Sequence, residues 1–89
     1  MGVSFNPKML AYDIAKGLVS LNPANLKKYT SNDLKAILSH LSLVQREIRA
    51  KQIPQDDVMR IKERNRQLQH LNQAITTIHT YVKQRHIQL

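Results

Sequence analysis

Eighty-nine residues suffice for one small domain, and so short a chain buries a modest share of its surface, so association is a natural supplement to its stability. It contains no Cys, which excludes disulfides, thiolate metal sites and thiol chemistry. Fourteen Lys and Arg against six Asp and Glu give a formal net charge of +8, which attracts anionic partners and also keeps a small protein in solution.

No apolar run approaches the ~20 residues that a membrane span needs. The opening "MGVSFNPKMLAY" lacks the apolar core of a secretory signal, and Asn6 stands where the myristoylation pattern wants Ser or Thr. We therefore expect a cytoplasmic protein with no membrane contact. Few Gly and Pro, with many Leu, Ile, Gln and Lys, favour helices over sheet.

Asn6 and Pro7 mark the first start, an N-cap followed by the helical position that best tolerates Pro. Leu10, Ile14, Leu18 and Leu21 then recur at spacings of four, four and three, predicting an amphipathic helix over about 7–20. Gly17 lies beside that stripe. It costs a helix roughly 1 kcal/mol relative to Ala, yet permits close approach of another backbone. Asn22 and Pro23 repeat the start signal and predict a short helix over 23–29.

Thr30 and Asp33 form a Ser/Thr-x-x-Asp/Glu capping box, with Tyr29 and Leu34 placed as its hydrophobic staple. Leu34, Ile37, Leu41, Val44 and Ile48 make a heptad seam, and Pro54 disfavours helical geometry at Ile53, so this helix is predicted over about 31–52. Asp56 and Asp57 suit the first turn of the next one. There Ile61, Leu68, Ile75 and Val82 follow at strict seven-residue intervals, with Leu71 and Ile78 between them, predicting a helix over about 55–86.

The fold expected is all-α: a coiled-coil-like antiparallel hairpin over 30–89, joined by the N-terminal helices of 1–29 in one bundle-like domain. Folding at Pro54 sets Ile48 opposite Ile61, Leu41 opposite Leu68 and Leu34 near Ile75. Ile78, Val82 and Ile87 then overshoot the shorter helix and need cover, from the N-terminal helices or from a second copy.

Chemistry is hard to place on this chain. His79 and His86 lie roughly 10 Å apart along one helix, too far to share an ion, and His40 with His70 lacks a third ligand. No phosphate-binding loop and no nucleophile–base grouping is present. Arg64 and Arg85 occupy seam positions, where snorkelling is the simple account, with Glu47 as a partner for Arg64. "DIAKGLVSLNPANLKKY" departs from a helix-turn-helix at the turn, where the usual Gly would fall at Val19. The hairpin resembles in architecture the small two-helix sporulation aspartyl-phosphatases, but "IKERNRQLQHL" lacks their Ser-Gln-x-Leu-Asp signature. We expect no enzyme, no cofactor, no metal and no small-molecule substrate.

Two stretches carry no charge at all: "QLQHLNQAITTIHTYV" at 67–82 and "AILSHLSLVQ" at 36–45. In the hairpin they face one another as an uncharged belt, and depletion of charge is the compositional mark of interface cores. Leu38, Leu43, Gln69, Thr76, Ile78, His79, Tyr81 and Val82 are the expected interface. At the Pro54 end Arg46, Arg49, Lys51, Arg60, Lys62, Arg64 and Arg66 gather against four acids, and Lys27 with Lys28 makes a second basic patch. The leading expectation is a non-enzymatic protein–protein interaction or regulatory module that self-associates through the belt. The alternative is a nucleic-acid-binding protein that sets the tip, or Lys27 and Lys28, on phosphates.

Overall fold

In the computed structural model, residues 6–87 and 89 are described. The chain is all-α and bundle-like, with α1 at Pro7–Ala15, α2 at Pro23–Leu26, α3 at Ser31–Ala50 and α4 at Val58–Arg85. α1 packs across both α3 and α4, α3 lies along α4, and the single turn of α2 covers part of α4. One core cluster results, centred on Ile14, Leu26, Leu34, Ile37, Leu41, Leu71 and Ile78.

The start signals act where expected. Asn6 accepts the Lys8 and Met9 N–H groups at 3.1 and 3.2 Å. Thr30 and Asp33 cap one another's backbone N–H at 3.1 Å each, and Asn22 with Asn25 makes the same reciprocal box for α2. Each cap satisfies backbone donors that a first turn otherwise leaves open.

The ends differ from expectation. α1 stops at Ala15 rather than near 20, because Gly17 adopts φ +82 and closes a Schellman turn. Its N–H donates to the Ile14 carbonyl at 3.0 Å, and the Leu18 N–H donates to Asp13 at 2.9 Å. Gly17 is thus a helix terminator and carries no mid-helix penalty. Leu18, placed on the helical stripe by its spacing, lies beyond the stop and is 72% exposed. α2 ends at Leu26, three residues before the expected 29. α4 begins at Val58, and Asp57 is its N-cap, accepting the Arg60 N–H at 3.1 Å. At the other end His86 takes φ 56, and the Ile87 N–H reaches back to Val82.

The α3 seam is buried throughout, from Leu34 to Ile48. The α4 face is rotated from the expected one. Leu71, Ala74, Ile78 and Tyr81 are buried, while Ile61, Leu68, Ile75 and Val82 are half-buried on its flank. Two neighbours, α1 and α3, must share α4, so its apolar face is broader than a two-helix seam and centres between them.

The pairing register also moves. Gln45, itself buried, donates its Nε2–H to Asn72 Oδ1 at 2.6 Å. The expected pairing of Ile48 with Ile61 would have set Gln45 near Arg64, about two turns earlier on α4. The uncharged segments still meet, since both partners of that bond belong to them. What overhangs is the start of α4, not its end: residues 58–70 contribute no buried side chain, whereas Ile78 and Tyr81 are in the core. Cover for the far end comes from within the chain.

Candidate interaction surface

Opposite its buried face, α4 presents Lys62, Asn65, Arg66, Gln69, Asn72, Gln73 and Thr76, all exposed and spaced three or four apart along one outward stripe. None is acidic. Beyond Leu68 the stripe forms the wall of a groove of ≈ 700 Å³, whose other wall is the connection from Gly17 to Leu21. Ile14 and Ala74 lie at its apolar base. Arg49, from the last turn of α3, is the one charged side chain on that lining among the described residues.

The groove exists because α1 ends early. Had the first helix run on to residue 20, it would have continued past Gly17 in place of the turned-back connection. The end is held by His70, whose Nδ1 lies 3.1 Å from the Ala15 carbonyl. The Asn25 amide also ties the connection down, donating to the Ser20 carbonyl at 3.0 Å.

Of the expected interface residues, Gln69 and Thr76 line this groove. Leu43 and His79 are exposed, and Leu38 and Val82 are half-buried against the core. Ile78 and Tyr81 lie inside this chain's own core and present no surface to a partner. Arg85 stands over the Tyr81 ring, 5.3 Å from its centroid, a cation–π contact that accounts for a cation at the edge of the packed face.

The cations of the Pro54 end come from the last turns of α3, the connection and the start of α4, with Arg49 on the neutral groove and Lys51, Arg60 and Arg64 in a separate cleft. Arg60 pairs with Asp57 at 3.3 Å and Arg66 with Glu63 at 3.8 Å, both exposed pairs of small worth. Arg46, Arg49, Lys51, Lys62 and Arg64 form no ion pair among the described residues. Glu47 does not serve Arg64. It accepts the Tyr12 hydroxyl at 2.7 Å, fastening α1 to α3. That hydrogen bond, then desolvation and the Glu47 charge, hold the Tyr12 phenol above its usual 10.0. Arg64 is half-buried in a cleft of ≈ 400 Å³ with Ile48, Lys51, Ile53 and Gln67, and its Nε has no hydrogen-bond partner among the described residues.

Lys27 and Lys28 are exposed after α2, and Lys28 lies over the Tyr29 ring at 5.4 Å from its centroid. They belong to neither the groove lining nor the Arg64 cleft. Among the described residues no three His, Asp or Glu side chains stand close enough to hold a metal ion, and no helix is long and apolar enough to cross a membrane.

The groove was not legible in the sequence. Its one signal was Gly17, which fits a helix end as well as a helix interior. Comparison with family models, with curated proteins and with solved structures gives no match to this chain in any of the three.

Proposed function

We propose that this chain is a non-enzymatic interaction module that binds a macromolecular partner along the outward face of α4. The observation that carries this reading is the stripe from Lys62 to Thr76: seven exposed side chains, cationic or neutral and hydrogen-bonding, running into a groove of ≈ 700 Å³. That volume is typical of binding sites. Arg49 stands among amides, hydroxyls and aliphatic groups, and the one imidazole on the lining, His70, is turned to the Ala15 carbonyl, which supports binding rather than catalysis.

The test is the double variant Gln73→Glu/Thr76→Glu. Both side chains are exposed, so the thermal melt should be close to that of the parent. Immobilised parent protein is expected to retain a stoichiometric partner from an extract of the source cell, and the variant to lose it. Equal retention by both would overturn the assignment of this face.

Self-association is a second reading, supported by the uncharged surface that remains around Leu43, Gln69, Thr76 and His79. Two chains of charge +8 repel least where neither carries charge. Light scattering that gives a monomer mass at high micromolar concentration would remove it.

A further inference from the structure

Resting on that assignment of the α4 face, we propose that its partner is duplex DNA, with the first turns of α4 presented to the major groove. Lys62, Arg66 and Arg49 would hold phosphates.

Shape is the first argument. Residues 58–70 contribute no buried side chain, and Met59, Lys62, Asn65, Arg66 and Gln69 form one exposed stripe about 15 Å long. A helix with its side chains is about 10–12 Å across, and the major groove of B-form DNA is about 12 Å wide. Duplex RNA closes its major groove to side chains, so the same helix has no equivalent seat there.

Charge is the second. Arg49 flanks the stripe on the side of the neutral groove, while Lys51 shares the cleft on the opposite face of α4 with Arg60 and Arg64. Arg49 and Lys62 have no carboxylate partner among the described residues, and Arg66 shares only the exposed Glu63 pair at 3.8 Å. Two acids of this region are already engaged, Glu47 by Tyr12 and Asp57 by Arg60 and its own helix start. Glu63 stays loosely on Arg66, and Asp56 is exposed in the turn.

The chemistry between the cations is the third. Asn65 and Gln69 are the residue types that pair with an adenine edge in the major groove. Aromatic platforms, on which single strands stack, are missing from the stripe: Tyr81 is buried and Tyr12 is bound to Glu47.

The test is anisotropy of a labelled DNA duplex of about 20 base pairs, titrated from about 50 to about 200 mM salt. Two variants with the same change of net charge are compared, Lys62→Gln/Arg66→Gln on the stripe and Lys35→Gln/Lys83→Gln at the opposite end of the bundle. The stripe variant is expected to bind about tenfold more weakly, with a salt slope shallower by about two, and the distal variant to stay within about twofold of the parent. Single strands, duplex RNA and polyglutamate are expected to compete poorly. No binding at about 50 mM salt would overturn the proposal. So would equal losses in the two variants, which would reduce the effect to net charge. Polyglutamate or duplex RNA competing as well as DNA would overturn it too, since the partner would then be any polyanion. If DNA fails while Gln73→Glu/Thr76→Glu still loses its cellular partner, the DNA assignment falls and the α4 face stands.

Discussion

His70 joins the middle of α4 to the last turn of α1, its Nδ1 3.1 Å from the carbonyl of Ala15. A carbonyl only accepts, so Nδ1 donates in this contact. The Schellman turn uses the carbonyls of Asp13 and Ile14, and Ala15 is the one His70 satisfies. The ring also lies over Gly17, where an added Cβ would stand 3.0 Å from Cε1.

Gly17→Ala is therefore expected to destabilise the fold by about 1–2 kcal/mol through its left-handed backbone, with the tight contact added. In a His70→Ala background the contact is gone and the same change should cost less. Urea denaturation of the four proteins in this cycle measures the coupling. A Gly17→Ala cost that is identical in both backgrounds would show that the ring does not press on this position.

The rotated face of α4 makes a second prediction. Ile78→Ala should cost about 2–5 kcal/mol, because its side chain is fully buried. Ile61→Ala should cost only about 1 kcal/mol, because that side chain is half-buried. The strict seven-residue register would instead make Ile61 a full seam residue. Chemical denaturation of the two variants separates the alternatives, and a larger loss at Ile61 would restore the hairpin register read from the heptads.

Gln45 and Asn72 supply a third. Asn72→Ala removes the acceptor of a buried amide and should destabilise by about 1–3 kcal/mol. Gln45→Met fills a similar volume without a donor, so the double variant Gln45→Met/Asn72→Ala should recover most of that loss. Additive losses across the cycle, measured by urea melts, would show that the two side chains are not bonded in solution.

The Tyr12–Glu47 bond sets an alkaline limit. A phenol whose folded pKa is raised above its unfolded value near 10.0 stabilises the fold fully below that value. The contribution is lost as pH rises through the raised folded value. The parent should therefore lose stability between about pH 10 and the higher folded pKa, and Tyr12→Phe should lose less over the same interval. Stability measured against pH for the two proteins decides it, and parallel profiles would show that the bond does not couple to ionisation.

Local signals carried the starts of α1, α2 and α3, while α4 begins three residues later than expected, with Asp57 as its cap. Asn6, Asn22 and Thr30 cap as their side chains and neighbours require, and the α3 seam is buried from Leu34 to Ile48. These features are written within a few residues of one another, because a cap or a heptad is satisfied by the chain's own adjacent turns. The stop at Gly17 is also local, but Gly serves equally inside a weakened helix and just past its end. The stripe through Leu10, Ile14 and Leu18 favoured the wrong alternative.

Register and burial on α4 were decided only by tertiary packing. Its seven-residue repeat describes a helix with one neighbour, and α4 has both α1 and α3 against it, with α2 beside them. The face it buries is the one all of them share, so Leu71, Ala74, Ile78 and Tyr81 enter the core and the Ile61 column moves to its edge. The pairing of Gln45 with Asn72 follows from the same placement, and with it the overhang of residues 58–70. Composition had already set the cations near Pro54 and kept charge out of the belt. Which of those groups stand free depended on how far α3 reaches along α4, a distance no local pattern encodes.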